Sequence, residues 1–441
     1  LHYCRLRAKR SSMTAAPPTT KQMKKTLTII LTFLVLEGMA QDLDLKRRYS
    51  FAKSYFGVDL SYFFNLQQTS FLNGQNQIQA LDRNNFITPA INFGATHFWG
   101  HADFFVSVST SSGKIRPDEI DNSIRFRAIT GMRIYPLAIK ENTIRPYLSY
   151  KFAPIRLNQS DLLGENYRRT QVKSILGAGI AYQTPKFYTY LGYEFIPNNE
   201  INIHLSRTQT ATSSFPKGLI NFGINYSIEF TNGSYSPPIP QLDSLLRRKN
   251  ALGLFFGIGP SSAFPTQNSS YITDLYPFSD DRTMPNIFPE ITAGYHFSKH
   301  EFVVSVNFRP IRQERGAFGY NQRLKRNSFG LEAYKFLFDY HGFAPFIGAG
   351  LLYEDIRLIE IENDINLTND RFTLTTPSLV FGWDIRPSRR ADIWLLRTNL
   401  RYSPFLELEK NSKKISLQHL EFNFIQAVIY PQRIKKYKEL R

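Results

Sequence analysis

Cysteine is almost missing from this sequence: Cys4 is the one among 441 residues. It lies ahead of Met23, in a stretch that reads as translated upstream sequence (1–22). From Met23 the chain has the layout of an export signal (23–40). Lys24 and Lys25 are followed by an apolar run from Leu27 to Leu36, and Gly38-Met39-Ala40 stands before Gln41. A chain cut there has no cysteine, which excludes disulfides, thiolate metal sites and a lipid on an N-terminal cysteine. Long apolar runs are also missing. After Ala40 none approaches the roughly 20 residues that a spanning helix needs. No GxSxG, HExxH, P-loop or dinucleotide GxGxxG stands in a fitting context, so the expectation is a protein that is not an enzyme and has no cofactor and no metal.

What is abundant is aromatic: 37 Phe and 24 Tyr, 15% of the chain with Trp, at a mean hydropathy of −0.30. Such a mean fits a membrane barrel, whose strands average lipid-facing and lumen-facing residues. Alternation of period two recurs in segments of about ten residues. Ile220, Phe222, Ile224, Tyr226, Ile228 and Phe230 oppose Asn221, Gly223, Asn225, Ser227 and Glu229, and Phe56, Val58, Leu60, Tyr62 and Phe64 oppose Tyr55, Gly57, Asp59 and Ser61. Ile124–Ile134, Ile144–Phe152, Val172–Tyr182, Phe187–Phe195 and five segments of the second half repeat the pattern. A soluble sandwich also alternates. The loop rhythm favours the membrane barrel, because long polar connections (65–85, 113–121, 158–169, 198–217) alternate with tight ones at Gly100-His101 and Thr184–Lys186.

The halves echo each other. Asp103-Phe-Phe-Val-Ser-Val108 matches Glu301-Phe-Val-Val-Ser-Val306, and Arg145-Pro-Tyr-Leu148 matches Ala344-Pro-Phe-Ile347. RPYLSY (145–150), GINYSIEF (223–230), APFIGAGLLY (344–353) and LRTNLRYSP (396–404) resemble strands of the porin-family outer-membrane β-barrel domain of Gram-negative bacteria, and GINYSIEF resembles its terminal assembly signal. Here that signal stands in mid-chain, while the last strand ends Val428-Ile429-Tyr430-Pro431.

The expected fold is therefore all-β: an antiparallel transmembrane β-barrel of about sixteen strands in two tandem eight-stranded repeats. The expected layout is a first repeat over 41–232, a linker over 233–249, a second repeat over 250–432 and a basic tail over 433–441. Inward glycines alternating with Tyr188, Tyr190, Phe255 and Phe346 favour two narrow, filled barrels over one sixteen-stranded ring.

Inward charges of the first half are Asp59, Asp103, Arg125, Arg127, Arg133, Arg145, Lys151, Lys173, Glu194 and Glu229. They read as an ion-pair network filling a narrow lumen, with an anion-selective lumen as the sharper alternative. His97 and His101 recur as His296 and His300 around hairpin turns and read as interfacial histidines. The alternating Glu360, Glu362, Asp364 and Asn366 read as a solvated strand, with calcium as the sharper alternative.

Removing the seven Lys/Arg and one Glu of residues 1–40 takes the formal charge from +18 to +12. For an exported chain this points to outer-membrane lipid and lipopolysaccharide, with no nucleic acid as partner. The barrel-assembly machinery is the other expected partner, and the outer membrane the expected location. The functional expectation is a structural or binding barrel working through its external segments 65–85, 261–287 and 312–325. A porin-like pore or transporter is the alternative, ahead of a surface hydrolase.

Overall fold

The computed structural model describes residues 53–439 apart from 65–68, 74, 82–84, 112, 115–121, 139–141, 161–165, 229–252, 280–286, 298–299, 339–342 and 386–393. The expected leader, signal peptide and linker, together with Glu229, lie outside the described residues.

Alternating apolar and polar residues rich in Phe, Tyr, Ile and Val favour extended chain, and burial of one face fixes the register. In the first half they form β1 (Lys53–Phe64), β2 (Phe86–His97), β3 (Ala102–Ser109), β4 (Ala128–Ile134), β5 (Thr143–Ser160), β6 (Asn166–Gln183), β7 (Phe187–Phe195) and β8 (Gly218–Ile228). Each pairs antiparallel with the next, and β8 returns to β1 with Ile224 opposite Val58, so eight strands close on themselves. In the second half come β9 (Leu254–Pro265), β10 (Phe288–Phe297), β11 (Phe302–Ala317), β12 (Tyr320–Phe336), β13 (Phe343–Glu362), β14 (Ile365–Ile385), β15 (Trp394–Tyr402) and β16 (His419–Ile429). Their ladders run in the same cycle, and β16 returns to β9 with Val428 opposite Gly257. Closure satisfies every strand edge, which is the condition for sheet to stand in hydrocarbon.

The outer faces are apolar. Phe56, Val58, Leu60 and Tyr62 on β1 are exposed, as are Phe329 and Leu331 on β12, Ile347, Leu351 and Tyr353 on β13, and Leu379 and Phe381 on β14. Each such side chain left in water forgoes about 1.5–3 kcal/mol of burial, so a belt of them requires lipid. The two rings touch along one flank. Phe98 lies 5.8 Å from Phe343 and Phe104 lies 6.4 Å from Trp383, which buries Ala95 and Ile385. Higher up, Phe152 meets Phe264 at 6.2 Å.

The rims differ. One carries the short turns, including Phe98–Gly100, and the helix α2 (Pro431–Glu439) that directly follows β16. The basic tail expected over 433–441 is thus helical through Glu439, with Arg433 buried over the Tyr430 ring at 3.8 Å. At the other rim β11–β14 project well past the belt. Segment 312–325, expected as a loop, is the continuous β11–β12 hairpin, turned at Phe318-Gly319. Most of 158–169 is likewise strand. Short hairpins (Thr69–Leu72 with Ile78–Leu81, Glu200–His204 with Thr210–Ser214) stand on the first ring, and α1 (Ser270–Leu275) with the hairpin Glu407–Lys410/Lys413–Ser416 on the second.

Candidate functional site: two filled lumens under an external cap

Inward residues of the first ring fill it with tyrosine. Arg133 is fully buried, 3.9 Å from Asp103, with its guanidinium 3.6 Å from the Tyr190 ring centroid and 4.1 Å from that of Phe105. Asp103 accepts from the Tyr135 and Tyr188 hydroxyls at 2.6 and 2.7 Å. Asp59 accepts from Ser107 at 3.0 Å and from Tyr190. Arg145 lies 4.3 Å from the Tyr135 ring centroid and donates to the Gly100 carbonyl at 3.1 Å, and Lys151 pairs with Glu194 at 2.7 Å. Lys173 donates to the Glu200 carbonyl in the capping hairpin at 2.6 Å. Small residues make room for the rings: a side chain on Gly179 or Gly192 would run into Tyr147.

Seven of the expected lumen charges thus face inward: Asp59, Asp103, Arg133, Arg145, Lys151, Lys173 and Glu194. Arg125 and Arg127 do not. Phe126 pairs with Ile155 but Thr130 with Phe152, so one extra residue bulges out at Arg127-Ala128. The bulge reverses the phase: Ile124 and Phe126 point in, Arg125 is exposed and Arg127 is half-buried. Strict alternation counted along the sequence cannot register such a slip.

The second lumen holds a network that the sequence reading left out. Arg401 reaches Glu290 at 3.1 Å, Glu332 at 2.5 Å and Glu421 at 2.9 Å, and Arg309 also pairs with Glu421. Arg326 pairs with Glu354 at 3.2 Å, and Arg397 forks onto Asp384 at 2.7 and 2.9 Å. His419 contacts Glu421 at 2.7 Å. Each charged residue lies one position out of phase with lipid-facing neighbours, as Glu332 does beside Leu331, so the period-two signal was there to be read.

Beyond the belt the ends are closed by packed side chains. Over the second ring Tyr271 and Ile272 of α1 pack with Leu324, Ile356, Leu358, Leu406, Leu408 and Ile415. Glu360, expected on a solvated face, is buried. It accepts from Tyr271 at 2.9 Å, Tyr320 at 2.6 Å, Gln322 at 2.8 Å and Lys410 at 2.8 Å. Burial works to raise its carboxyl, but the bonds from Lys410, Tyr320 and Gln322 outweigh it and hold the group below the usual range. Burial and the same carboxylate push the Tyr271 and Tyr320 hydroxyls up. Among the described residues no group of His, Cys, Asp and Glu could hold a metal.

The two caps share one core. Phe318, at the β11–β12 turn, stacks on Tyr167 of β6 at 5.7 Å and meets Phe278 edge-on at 6.1 Å. Its φ of +47° is a left-handed conformation that bulky side chains avoid, costing about 1–3 kcal/mol; burial of the ring within the core over the first lumen offsets that cost. Arg207 from the first ring donates to the Phe318 carbonyl at 2.7 Å and pairs with Glu362 at 2.6 Å. Tyr167 and Arg168 pair in register with Ala317 and Gly316.

The histidines sit at the opposite rim. His97 is buried edge-on to Phe104 at 5.0 Å, and His101 contacts the Tyr135 carbonyl at 3.0 Å. His296 lies 3.6 Å from Glu301, while His300 is exposed. His97 and His296 are thus both buried, whereas His101 is half-buried where His300 is exposed.

No protein-family model matches this sequence, and no curated protein matches it. Among solved structures the chain is similar to neisserial surface protein A (16% identity over 40% of this chain and 96% of that one, TM-score 0.30). It is also similar to Ail, the attachment invasion locus protein of Yersinia pestis (12%, 41% and 99%, TM-score 0.27), and to an outer membrane channel from Pseudomonas putida F1 (10%, 86% and 95%, TM-score 0.22). At such overlaps the architecture stands on its own ladders and belt. A closed antiparallel barrel of eight strands with a lipid-facing girdle is the outer-membrane solution to spanning a bilayer, and this all-β chain is an outer-membrane β-barrel protein.

Proposed function

We propose that the chain is a tandem of two filled eight-stranded barrels that serves as a structural and binding protein of the outer membrane, with the cap as its working surface. The observation that carries this reading is the pair of occupied lumens. Arg133 and Arg401, each fully buried at the centre of its ring, block the path that a diffusion pore needs. The matched segments support duplication. Asp103–Val108 and Glu301–Val306 fall on or beside the third strand of each ring, and Arg145–Leu148 and Ala344–Ile347 on the fifth. Inward acids of both lumens are taken up by hydroxyl donors, Asp103 by Tyr135 and Tyr188, Glu290 by Ser261 and Glu354 by Ser328, which argues against a free catalytic carboxylate there.

External segments on a rigid scaffold are where recognition is built, and here they are unusually well fixed to one another. Lipid, lipopolysaccharide and the assembly machinery are the partners this reading supplies. The test is reconstitution of the full chain into planar bilayers. Insertion without stepwise conductance is expected, and conductance steps of porin size would overturn the filled-barrel reading in favour of a solute pore.

A further inference from the structure

The outward face of β11–β14 changes character in rows. Phe308, Phe329 and Tyr353 stand side by side, with ring centroids 4.9 and 6.5 Å apart, where the apolar belt ends. Aromatics at this level mark the membrane interface. Four residues further along each strand, about 13 Å, the ladders place Arg312 opposite Lys325, Lys325 opposite Arg357, and Arg357 opposite Arg371. Four cations thus stand abreast on four neighbouring strands, all exposed. Like charges directly opposite destabilise a sheet, so nothing in strand pairing favours this row.

Internal acid covers one of them. Asp355 takes a fork from Arg371 at 2.7 and 3.0 Å, while Arg357 donates to Asn369 at 2.7 Å. Between the strands lies a shallow groove of about 480 Å³, lined by Lys325, Asn327, Asp355, Arg357, Asn369 and Arg371. Arginine forks and a lysine suit phosphate oxygens, and the two amides add neutral donors. The motif has an echo on the first ring. Phe152-Ala-Pro-Ile-Arg156 reads like Phe308-Arg-Pro-Ile-Arg312, and Arg156 again stands opposite an arginine, Arg125.

We propose that the row Arg312, Lys325, Arg357 and Arg371 binds the phosphate groups of a phosphorylated glycolipid in the outer leaflet. The inference rests on the membrane reading above and names a ligand class for the barrel's outer face. Height selects the ligand: the cations stand one headgroup above an aromatic girdle, where the phosphates of a lipid whose chains cover that girdle must lie.

The test uses the purified full chain, loaded with a disaccharide glycolipid in its diphosphorylated and dephosphorylated forms with identical acyl chains, and native mass spectrometry of what it retains. The phosphorylated form is expected to be retained preferentially. The double variant Lys325→Gln/Arg357→Gln should weaken that retention about twenty-five-fold, at roughly fivefold per surface cation. Asp355→Asn, which removes the competing carboxylate, should strengthen it. Lys325 and Arg357 are exposed and Asp355 is half-buried, and unchanged insertion into vesicles confirms the fold of both variants. Equal retention of both lipids by an inserted protein would overturn the proposal, as would complete displacement by excess inorganic phosphate, which would mark a free-phosphate site. A chain that inserts into no vesicle would sink the membrane reading itself.

Discussion

The first lumen surrounds its central arginine with rings, and the second surrounds its own with carboxylates. Arg133 faces Phe105 and Tyr190 and stands 3.9 Å from its nearest acid, whereas Arg401 touches Glu290, Glu332 and Glu421, all within 3.1 Å. Both arrangements answer the same difficulty, that a charge taken out of water must be compensated. The tyrosine solution sets ring quadrupoles against the arginine and hydroxyl donors against the aspartates. The carboxylate solution concentrates it in ion pairs, each of which leaves a buried charge behind when its partner is removed.

That contrast predicts the largest effect. Arg401→Met takes the paired cation from Glu290 and Glu332, while Glu421 keeps Arg309, and should cost about 3–5 kcal/mol in unfolding from bilayers or detergent. Arg133→Met should cost about 1–2 kcal/mol, the scale of desolvated cation–π contacts, because Asp103 keeps both tyrosine hydroxyls. Equal losses in urea titrations would erase the distinction between the two interiors.

How far this was legible in the sequence depends on what each feature needs. Closure, the lipid face and the filling of the lumen by Tyr188, Tyr190, Phe255 and Phe346 follow from a period of two, which each strand carries by itself. The position of Arg125 does not, because one bulged residue at Arg127-Ala128 inverts the face and no local pattern announces it. Glu360 was misread for a different reason. It alternates like a solvated residue, but Tyr271 and Lys410, 89 and 50 residues away in sequence, close over it. The arginines of the second lumen carried the same signal as those of the first. The cationic row is invisible along the chain, since its members meet only through the register of four strands.

Packing in the tyrosine-filled ring sharpens the comparison at the next scale. Gly192→Ala drives a methyl into the Tyr147 hydroxyl and should destabilise by about 1–3 kcal/mol, the usual range for overpacking. A neutral effect in thermal unfolding would mean that the rings are looser than their geometry implies.

The caps separate by pH. Glu360 is held below its ordinary value of 4.5, so its contribution is fully present above that value and is lost as acid titrates the folded carboxyl. The wild-type cap over the second ring should therefore loosen below pH 4.5, seen as faster amide exchange in α1. Glu360→Gln should remove that acid dependence, and an unchanged profile in the variant would place the titration elsewhere. Smallest of all is Arg207→Ala at the junction of the caps. Its pair with Glu362 is 40% and 28% exposed, and such pairs are worth about 0–1 kcal/mol. A larger loss would show that the carbonyl of Phe318, not the ion pair, is what Arg207 holds.

Occupancy of the two interiors is tested most directly by single cysteines in a chain begun at Gln41, which carries none of its own. Ser107→Cys and Ser305→Cys place a thiol on the inward face of each ring, and Thr373→Cys places one on exposed sheet beyond the belt. A small charged thiosulfonate should modify the third rapidly and leave the first two intact in the membrane-inserted protein. Modification of either inward thiol at the rate of the exposed one would mean that water and ions pass where arginine, tyrosine and glutamate have been placed.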